Sequence, residues 1–341
     1  MRKAAVVIPA LAAVWLVVSV STAHAQIYEL VGTRAQGMGG AFVAVADDAT
    51  ATWWNPAGLA AGAYFSGVLE RGLTTEPRDT APAGPVWRGR NTGVALVFPA
   101  LGLSYYRLRI NEIAPVASIG GGPLDRQDPG VAGTGVRSLL TSQFGMTVGE
   151  SLGEHLVVGS TLRLIRGGLA VSSGPIAAHA LDAADELPVD TETKGDLDLG
   201  AVASFGPARL AIAVKHARDV RFGEGVHEFV LQRQARAGLA FVTRTPGALN
   251  VLTFALDADL TRTPTAFGDA RHVAAGLEAW VLGSRLGVRG GVSANTVGDA
   301  STSTSVGGSL AARRGLYIDG ALTFGSDQSR EAWMAGLRLT F

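Results

Sequence analysis

The stretch LYIDGALTFGSDQSREAWMAGLRLTF, residues 316–341, decides the fold. From Leu316 to Phe324 apolar side chains stand at every second position, with Tyr317 and Asp319 between them, and the same period returns from Trp333 to Phe341. Successive side chains of a β-strand point to opposite faces of the sheet. Both parts of the stretch therefore predict strands with one apolar face and one more polar face.

Working outward from this stretch, fourteen segments with a period of two are predicted along the chain. This period does not by itself separate a membrane barrel from a soluble β-sandwich, because both give each strand two different faces. The predicted strands lie near residues 63–71, 92–98, 101–110, 136–149, 155–170, 194–205, 208–217, 232–243, 249–261, 271–282, 285–294, 304–313, 316–324 and 331–341.

The predicted connections alternate in length. Outer-membrane barrels pair short periplasmic turns with longer extracellular loops, whereas a sandwich has no reason to sort its connections between two ends. The pattern favours an all-β transmembrane antiparallel β-barrel of about 14 strands over the sandwich. Short turns are expected at 99–100, 150–154, 206–207, 244–248, 283–284 and 314–315, and longer loops at 72–91, 111–135, 171–193, 218–231, 262–270, 295–303 and 325–330.

The two ends of the chain indicate export to an outer membrane. Arg2 and Lys3 precede an apolar run, and Ala23-His24-Ala25 has the small residues of a cleavage site, so residues 1–25 are predicted to be a signal peptide that is cleaved near Ala25. An uncleaved membrane helix is the alternative. The final strand ending in Phe341 resembles the C-terminal signal of outer-membrane barrels, which makes the barrel-assembly machinery an expected partner and a Gram-negative outer membrane the expected location.

Composition agrees with a barrel that faces lipid. The 341 residues include 45 glycines and no cysteine, with 47% hydrophobic and only 17% charged residues. Globular domains carry about 25% charged residues, and low charge is expected where alternate side chains contact outer-membrane lipid. The balance of 29 basic and 29 acidic residues gives no basis for nucleic-acid binding. We expect a monomer in contact with lipid and not with nucleic acid.

Between the signal peptide and the first predicted strand lies GTRAQGMGGAFVAVADDATATWWNPAGL, residues 32–59. It lacks the alternation of a strand and is too apolar for a solvated linker. We expect residues 26–62 to form an N-terminal plug (hatch) segment inside the lumen of a barrel formed by residues 63–341. Asn55-Pro56 favours a turn, and residues 41–52 are compatible with a short helix whose Asp47 and Asp48 require arginine or backbone donors.

A family resemblance rests on three runs, Gly37-Met38-Gly39-Gly40-Ala41, Ala46-Asp47-Asp48-Ala49 and Trp54-Asn55-Pro56-Ala57-Gly58-Leu59. They resemble the N-terminal signature of the FadL/TodX family of outer-membrane transporters for hydrophobic compounds, and this chain is shorter than typical members. The resemblance implies passive uptake of a hydrophobic small-molecule ligand, such as a long-chain fatty acid or an aromatic hydrocarbon, through a channel that the plug gates. The implied plug or gate residues are Gly37, Gly39, Gly40, Asp47, Asp48, Asn55, Pro56, Ala57 and Gly58.

The same signature occurs in the related PorV/PorQ branch. A non-transporting barrel that supports protein secretion or surface attachment of a partner is therefore the alternative function.

Charged residues are predicted on the lumen-facing side of the strands. Their nearly balanced signs favour an ion-pair network around the plug over an ion-selective pore, and the plainer interpretation is a set of wetted lumen residues. The set consists of Arg163, Asp196, Asp198, Arg209, Arg236, Asp257, Asp259, Glu278, Arg285, Arg289, Asp319 and Arg338.

No catalytic signature of the sequence stands in the context that its chemistry requires. The five histidines that follow the signal peptide form no H-E-x-x-H motif, and the one G-x-S-x-G match, from Gly149 to Gly153, falls at a predicted turn between two strands and not between a strand and a helix. We therefore expect no enzyme activity, no cofactor and no metal. Trp87, Ile110, Ile113 and Leu124, in the predicted long loops, are expected either to capture the ligand or to anchor the loops to one another.

Overall fold

The computed structural model describes residues 31–77, 86–116, 133–174, 180–265, 268–298, 301–325 and 331–341. The predicted signal peptide and Leu124 lie outside these ranges. The strands are β1 Ser66–Pro77, β2 Val86–Phe98, β3 Leu101–Val116, β4 Gly133–Leu152, β5 Leu156–Gly174, β6 Glu192–Phe205, β7 Ala208–Lys215, β8 Val220–Phe222, β9 Phe229–Leu231, β10 Gln234–Arg244, β11 Leu249–Asp259, β12 Thr263–Thr265, β13 Gly268–Ala270, β14 His272–Val281, β15 Leu286–Asn295, β16 Thr302–Arg313, β17 Leu316–Gly325 and β18 Glu331–Thr340. The helices are α1 Thr33–Gly37, α2 Ala51–Trp54 and α3 Ala180–Glu186, with 3-10 helices at Pro56–Ala61 and Gly225–His227.

Fourteen antiparallel strands form a closed barrel, which confirms the predicted fold class. They are β1–β7, β10, β11 and β14–β18, and β1 pairs with β18 to close the sheet. At the seam Ser66 stands opposite Thr340, and Phe65 and Phe341 exchange backbone hydrogen bonds of 3.2 and 2.9 Å. The remaining strands form two hairpins, β8–β9 and β12–β13, within the connections.

The wall strands alternate between an apolar outer face and a lumen-facing inner face. In β2, for example, Val94, Leu96 and Phe98 are exposed, whereas Ala95 and Val97 are buried. An outward apolar band of this kind is what a barrel presents to lipid. No helix within the described ranges is long and apolar enough to cross a membrane.

The connections sort between two rims, which we call periplasmic (short turns) and extracellular (long connections) by analogy with outer-membrane barrels. The predicted loops at 72–91 and 111–135 are wrong in extent, because β1 continues to Pro77, β2 begins at Val86, β3 continues to Val116 and β4 begins at Gly133. These strand ends rise above the apolar band, so no lipid requires apolar side chains on their outer face. Their polar and glycine residues therefore lack the alternation that identifies the rest of the strand.

Residues 31–65, here called the N-terminal segment, lie against the lumen-facing side of the wall. Every residue from 31 to 59 except Asp47 is buried. The predicted helix over 41–52 is wrong. The Phe42 and Val43 amides donate to Asp257 of the wall, and Asp48 accepts from the Thr50 amide, and such side-chain bonds compete with helical ones.

Two glycines of β6 provide a test of this packing. A Cβ atom on Gly200 would collide with the Asn55 side chain, whereas one on Gly195 would meet nothing within 4 Å. We expect Gly200→Val to lower the stability of the folded state by about 1–3 kcal/mol through overpacking, measured as an earlier loss of the compact band in heated gel-shift assays. Gly195→Val is the matched control, and equal stability of the two variants would contradict the packing described.

Candidate functional site

Arg34 joins the N-terminal segment to the barrel wall. Its guanidinium donates to Glu278 through Nε at 3.1 Å and through Nη2 at 2.7 Å. Its Nη1 lies 2.7 Å from an Asp47 oxygen and 2.8 Å from an Asp48 oxygen. The bidentate contact with Glu278 fits the planar guanidinium group. These four residues, here called the Arg34 cluster, satisfy the prediction that the paired aspartates require an arginine.

The Arg34 cluster is shielded from solvent except at Asp47. The side chains of Arg34, Asp48 and Glu278 are exposed by only 7%, 5% and 2%. Burial opposes ionisation of Asp48, but the Arg34 guanidinium, assisted by Arg338, outweighs it, so the pKa of Asp48 lies below its usual value. Asp48 therefore remains an anion that holds Arg34 at neutral pH.

Two wall carboxylates bind the backbone of the N-terminal segment. Glu70 accepts from the amides of Gly32 and Thr33 at 2.8 and 3.1 Å. Asp257 accepts from the amides of Phe42 and Val43, both at 2.8 Å. Buried amides without a helical partner require such acceptors, so the wall replaces the hydrogen bonds that the segment does not make internally.

The predicted Asn55-Pro56 turn has a local hydrogen-bond network. Asn55 Oδ1 accepts from the Ala57 amide at 3.1 Å, while its Nδ2 donates to the Val43 carbonyl at 3.0 Å. Pro56 begins the 3-10 helix, where its missing amide costs nothing. A Cβ atom on Gly58 would collide with the Ala46 carbonyl. The structure therefore gives a reason for Asn55, Pro56 and Gly58 in this turn.

The glycines of the first run face the wall. Gly39 has φ of +66°, which favours glycine, and a Cβ there would lie 2.8 Å from the Val292 amide nitrogen. Gly40 also has positive φ, 86°. A Cβ on Gly37 would lie 3.2 Å from Gly307 Cα. These glycines thus allow the backbone of the N-terminal segment to approach the backbone of the barrel wall closely.

Most of the predicted lumen charges are brought together in pairs. The network crosses the strands of the wall and reaches the N-terminal segment where Arg163 Nη2 donates to the Thr52 carbonyl at 2.7 Å. The pairs are Arg163–Asp198 at 2.6 Å, Asp196–His216 at 2.5 Å, Arg236–Asp259 at 2.6 Å, Arg289–Glu278 at 2.6 Å and Arg338–Asp319 at 2.9 Å.

Asp196, Asp198 and His216 have the side chains of a metal site, and their ligand atoms lie within 4.8 Å of one another. Arg163 already forms an ion pair with Asp198, and His216 Nδ1 is within hydrogen-bond distance of Asp196. Lys215 adds a further cation to this corner of the lumen, 3.0 Å from the centroid of the Trp53 ring. Such positive charge opposes a bound cation, so we assign these residues to the ion-pair network.

Five sequence-based assignments require correction or restriction. Arg285 is exposed in the periplasmic turn before β15, because that strand starts one residue later, at Leu286. Arg209 is half-buried near the periplasmic end of β7 and does not join the network of the described residues. Trp87 and Ile110 are buried strand residues and not loop residues, since β2 and β3 extend past them; Ile113 also lies in β3.

The lumen-facing side of β2–β5 and the β8–β9 hairpin carry a group of buried apolar residues, beside buried polar residues such as Asn91, Gln143 and Arg163. Phe222 and Phe229 of the hairpin stack at 4.8 Å, and a Cβ on Gly167 would lie 2.9 Å from the Phe229 ring. Phe222 and Phe229 belong to one buried apolar cluster that also contains the tryptophans of the N-terminal segment. We call this surface the apolar sector, and it comprises Trp87, Tyr106, Leu108, Ile110, Leu139, Ile165, Leu169, Phe222, Phe229 and Leu231.

A cavity of about 460 Å³ lies at the extracellular end of the apolar sector. The β5–β6 ladder ends where Glu192 stands opposite Gly167, although β5 continues to Gly174. The cavity occupies this interruption of the wall, and His227 Nδ1 lies 3.0 Å from the Leu169 carbonyl at its side. Its lining consists of Gly167–Ser172, Leu187, Pro188, Asp190, Thr191, Glu192, Gly223, Glu224 and His227.

Solved structures share this architecture over nearly the whole chain. The CymD monoaromatic hydrocarbon channel matches with a TM-score of 0.61 and 14% identity, over 91% of this chain and 97% of that chain. The toluene transporter TbuX of Ralstonia pickettii matches with a TM-score of 0.62 and 14% identity, over 92% and 99%. This chain has the FadL-type barrel fold. A Pseudomonas aeruginosa FadL homologue matches with a TM-score of 0.61 and 12% identity, over 94% and 99%.

The FadL-type fold points to the outer membrane of a Gram-negative bacterium. The similar structures are described as a channel and a transporter. No protein-family model and no curated protein matches the sequence. At 12–14% identity the likeness concerns the fold.

Sequence reasoning missed Arg34 and Glu70. Arg34 is the single basic residue between residues 32 and 59, so it is the nearest available partner for two adjacent aspartates in a buried segment. The presence of only one basic residue in this segment therefore indicates which residue pairs with Asp47 and Asp48. Glu70 has no comparable signal, because its partners are backbone amides more than 35 residues away in the chain.

Replacing Arg34 tests the cluster. We expect Arg34→Gln to loosen the N-terminal segment by about 3–5 kcal/mol, since it leaves buried carboxylates without their partner. The readout is faster chymotrypsin cleavage at Trp53 and Trp54 in protein whose barrel retains its compact gel band. Arg209→Gln removes the same charge from the lumen and should leave cleavage unchanged; equal cleavage of both variants would contradict the assignment.

The direction of the Asp48 pKa gives a pH dependence. A depressed pKa in the folded state contributes stability above the unfolded value of about 3.9, and this stability is lost as pH falls through the lower folded value. We therefore expect hydrogen–deuterium exchange of residues 47–55, corrected for intrinsic rates, to stay constant from pH 7 to about pH 5. A rise that already begins between pH 6 and pH 5 would exclude Asp48 as the controlling group.

Proposed function

We propose that this protein is an outer-membrane channel for the passive passage of hydrophobic small molecules, gated by the N-terminal segment. The observation that carries the proposal is the apolar sector, which leads from the 460 Å³ cavity to the tryptophans of the N-terminal segment. Ligand pockets typically measure about 300–1,000 Å³. The similar structures, a monoaromatic hydrocarbon channel and a toluene transporter, support the same class of cargo.

The proposed route begins at the interruption between β5 and β6. A ligand enters the cavity beside Gly167, passes the Phe222–Phe229 pair and reaches Trp53 of the N-terminal segment. The ion pairs of the lumen, which lie on β5–β7 and from β10 to β18, do not take part in the proposed route. In this proposal the ligand follows one side of the barrel instead of its axis.

The N-terminal segment closes this route in the proposed mechanism. Its polar attachments are discrete contacts rather than a continuous ladder with the wall, and they include the Arg34 cluster, Glu70, Asp257 and the hydrogen bond from Arg163 to the Thr52 carbonyl. Exchange of such contacts for water permits movement of the segment without opening the barrel. The plug and barrel boundaries at 26–62 and 63–341, and the gate roles of the glycines and aspartates, are part of this proposal.

The cavity favours neutral cargo over an anion. Asp190, Glu192 and Glu224 line it, and of these Glu192 lies 2.8 Å from Lys194. The carboxylates of Asp190 and Glu224 in the lining would repel a carboxylate ligand, whereas they would not repel a neutral hydrocarbon. We therefore infer that aromatic or other neutral hydrocarbons pass more readily than long-chain fatty acids.

A charge placed on the β8–β9 hairpin tests the route. We expect Phe229→Asp to reduce entry of a labelled alkylbenzene into cells of a porin-poor Gram-negative host at least tenfold, because a buried carboxylate interrupts the apolar sector. Val226→Asp adds the same group to the same hairpin at a position 67% exposed, and it should leave entry unchanged. Unaltered entry with Phe229→Asp would exclude the route.

Two further outcomes separate the remaining alternatives. Entry of the alkylbenzene at the rate of cells without the protein would exclude transport and favour the sealed barrel that holds an exported partner. Equal entry of the alkylbenzene and of a labelled fatty acid would leave transport intact and exclude the selectivity argued from the cavity carboxylates.

A further inference from the structure

Five arginines project from the outer face of β2, β3 and β5, on the extracellular side of the apolar band. The register brings them together: Arg90 stands opposite Arg109, and Ser142 stands opposite both Arg107 and Arg166. These residues alternate with lumen-facing neighbours such as Leu108, so they point away from the lumen. We call the group Arg88, Arg90, Arg107, Arg109 and Arg166 the outer arginine cluster.

The residues next to this cluster face lipid. One step toward the periplasmic rim, Val94 stands opposite Tyr105, and Phe144 stands opposite Leu164. They are exposed by 40%, 41%, 47% and 55%. The outer arginine cluster is therefore the first polar row at the extracellular edge of the apolar band, the level at which lipid headgroups lie.

The helix α3 neutralises only the upper part of the cluster. Asp182 lies 2.7 Å from Arg88, and Asp185 contacts both Arg88 and Arg90. Over the part of the chain that the structure describes, no carboxylate pairs with the other three arginines. Arg107 and Arg166 stand on the two sides of Ser142, and neither is paired with a carboxylate of the described residues. Their like charges repel each other.

The hydrogen bonds of the lower arginines are incomplete. Arg166 Nε donates to Thr191 Oγ1 at 2.7 Å and Arg109 Nη2 donates to the Leu187 carbonyl at 3.0 Å. The Arg109 Nε is buried and has no hydrogen-bond partner among the described residues. Arg107 has no hydrogen bond or ion pair within those residues. An anion at this position would satisfy both the charge and the donors.

We propose that the outer arginine cluster binds the phosphate groups of a phosphorylated glycolipid in the outer leaflet. Guanidinium groups form strong paired hydrogen bonds with phosphate. Arg107 and Arg166 are two strands apart, about 10 Å, with the Ser142 hydroxyl between them. The apolar row below takes the acyl chains of the same molecule, which distinguishes a lipid from a free phosphate. The inference depends on the outer-membrane location and not on transport.

Binding of a defined lipid tests the proposal. The full chain in detergent micelles is titrated with a fluorescent lipid A that carries two phosphates and with the same lipid stripped of phosphate. We expect the wild type to bind the phosphorylated lipid at least tenfold more tightly, and Arg107→Gln/Arg166→Gln to abolish this preference. Arg313→Gln/Arg314→Gln removes two exposed arginines from the periplasmic rim and should retain the preference.

Several results would overturn the proposal. They are an unchanged preference in Arg107→Gln/Arg166→Gln, the same loss in the periplasmic control, or competition by inorganic phosphate at the concentration of the lipid. If the double variant does not show the compact gel band, Arg107→Gln alone replaces it, and its preference should fall at least threefold. An unchanged preference in that variant would also overturn the proposal.

Discussion

The contact of Arg34 with Asp47, Asp48 and Glu278 is the interaction on which the interior of this barrel depends. A closed sheet of fourteen strands satisfies its own backbone hydrogen bonds, but it leaves a lumen that must be filled by water, side chains or another segment. Here the N-terminal segment occupies that space, and one guanidinium neutralises carboxylates from both the segment and the wall. Buried charges are tolerated when they are paired and hydrogen-bonded, so the segment and the wall require each other.

The strand β3 shows how one sequence pattern serves two surfaces. Its Leu108 and Ile110 face the lumen and belong to the apolar sector, whereas Arg107 and Arg109 between them face outward at the headgroup level. Closer to the periplasmic rim the polarity of the same strand is reversed, because Tyr105 faces lipid and Ser104 is buried. This reversal is a direct consequence of leaving the bilayer, since the outer face then meets headgroups while the inner face still bounds the apolar sector.

Much of the architecture was predictable from the sequence. The alternation that ends at Phe341 and the length of the connections identified a closed barrel of fourteen strands, because those features arise from local geometry and from contact with lipid. The extracellular ends of β1–β4 were not predictable in this way, since residues such as Thr74 and Arg90 lie above the apolar band and lack its alternation. A period of two also gives no indication of which face is inward.

The site was predictable only in part. Local chemistry identified Asp47, Asp48 and the Asn55-Pro56 turn, because their partners are close in the chain or are implied by charge. Glu70 and Asp257 were beyond sequence reasoning as anchors, since they bind backbone amides that become neighbours only when the barrel closes. Arg209 and Arg285 were placed in the network on strand alternation alone, and their distance from the middle of the wall removes them from it.

Pinning the N-terminal segment to the wall is the most direct test of its gate function. A Cβ atom on Gly336 would lie 3.1 Å from Thr33 Oγ1, and the chain has no cysteine of its own. In Thr33→Cys/Gly336→Cys, a gate predicts that oxidation blocks entry of the labelled alkylbenzene and that reduction restores it, while the single-cysteine variants do not respond. Equal entry in the oxidised and reduced states, with the disulfide verified by mass spectrometry, would show that the segment does not need to move for passage.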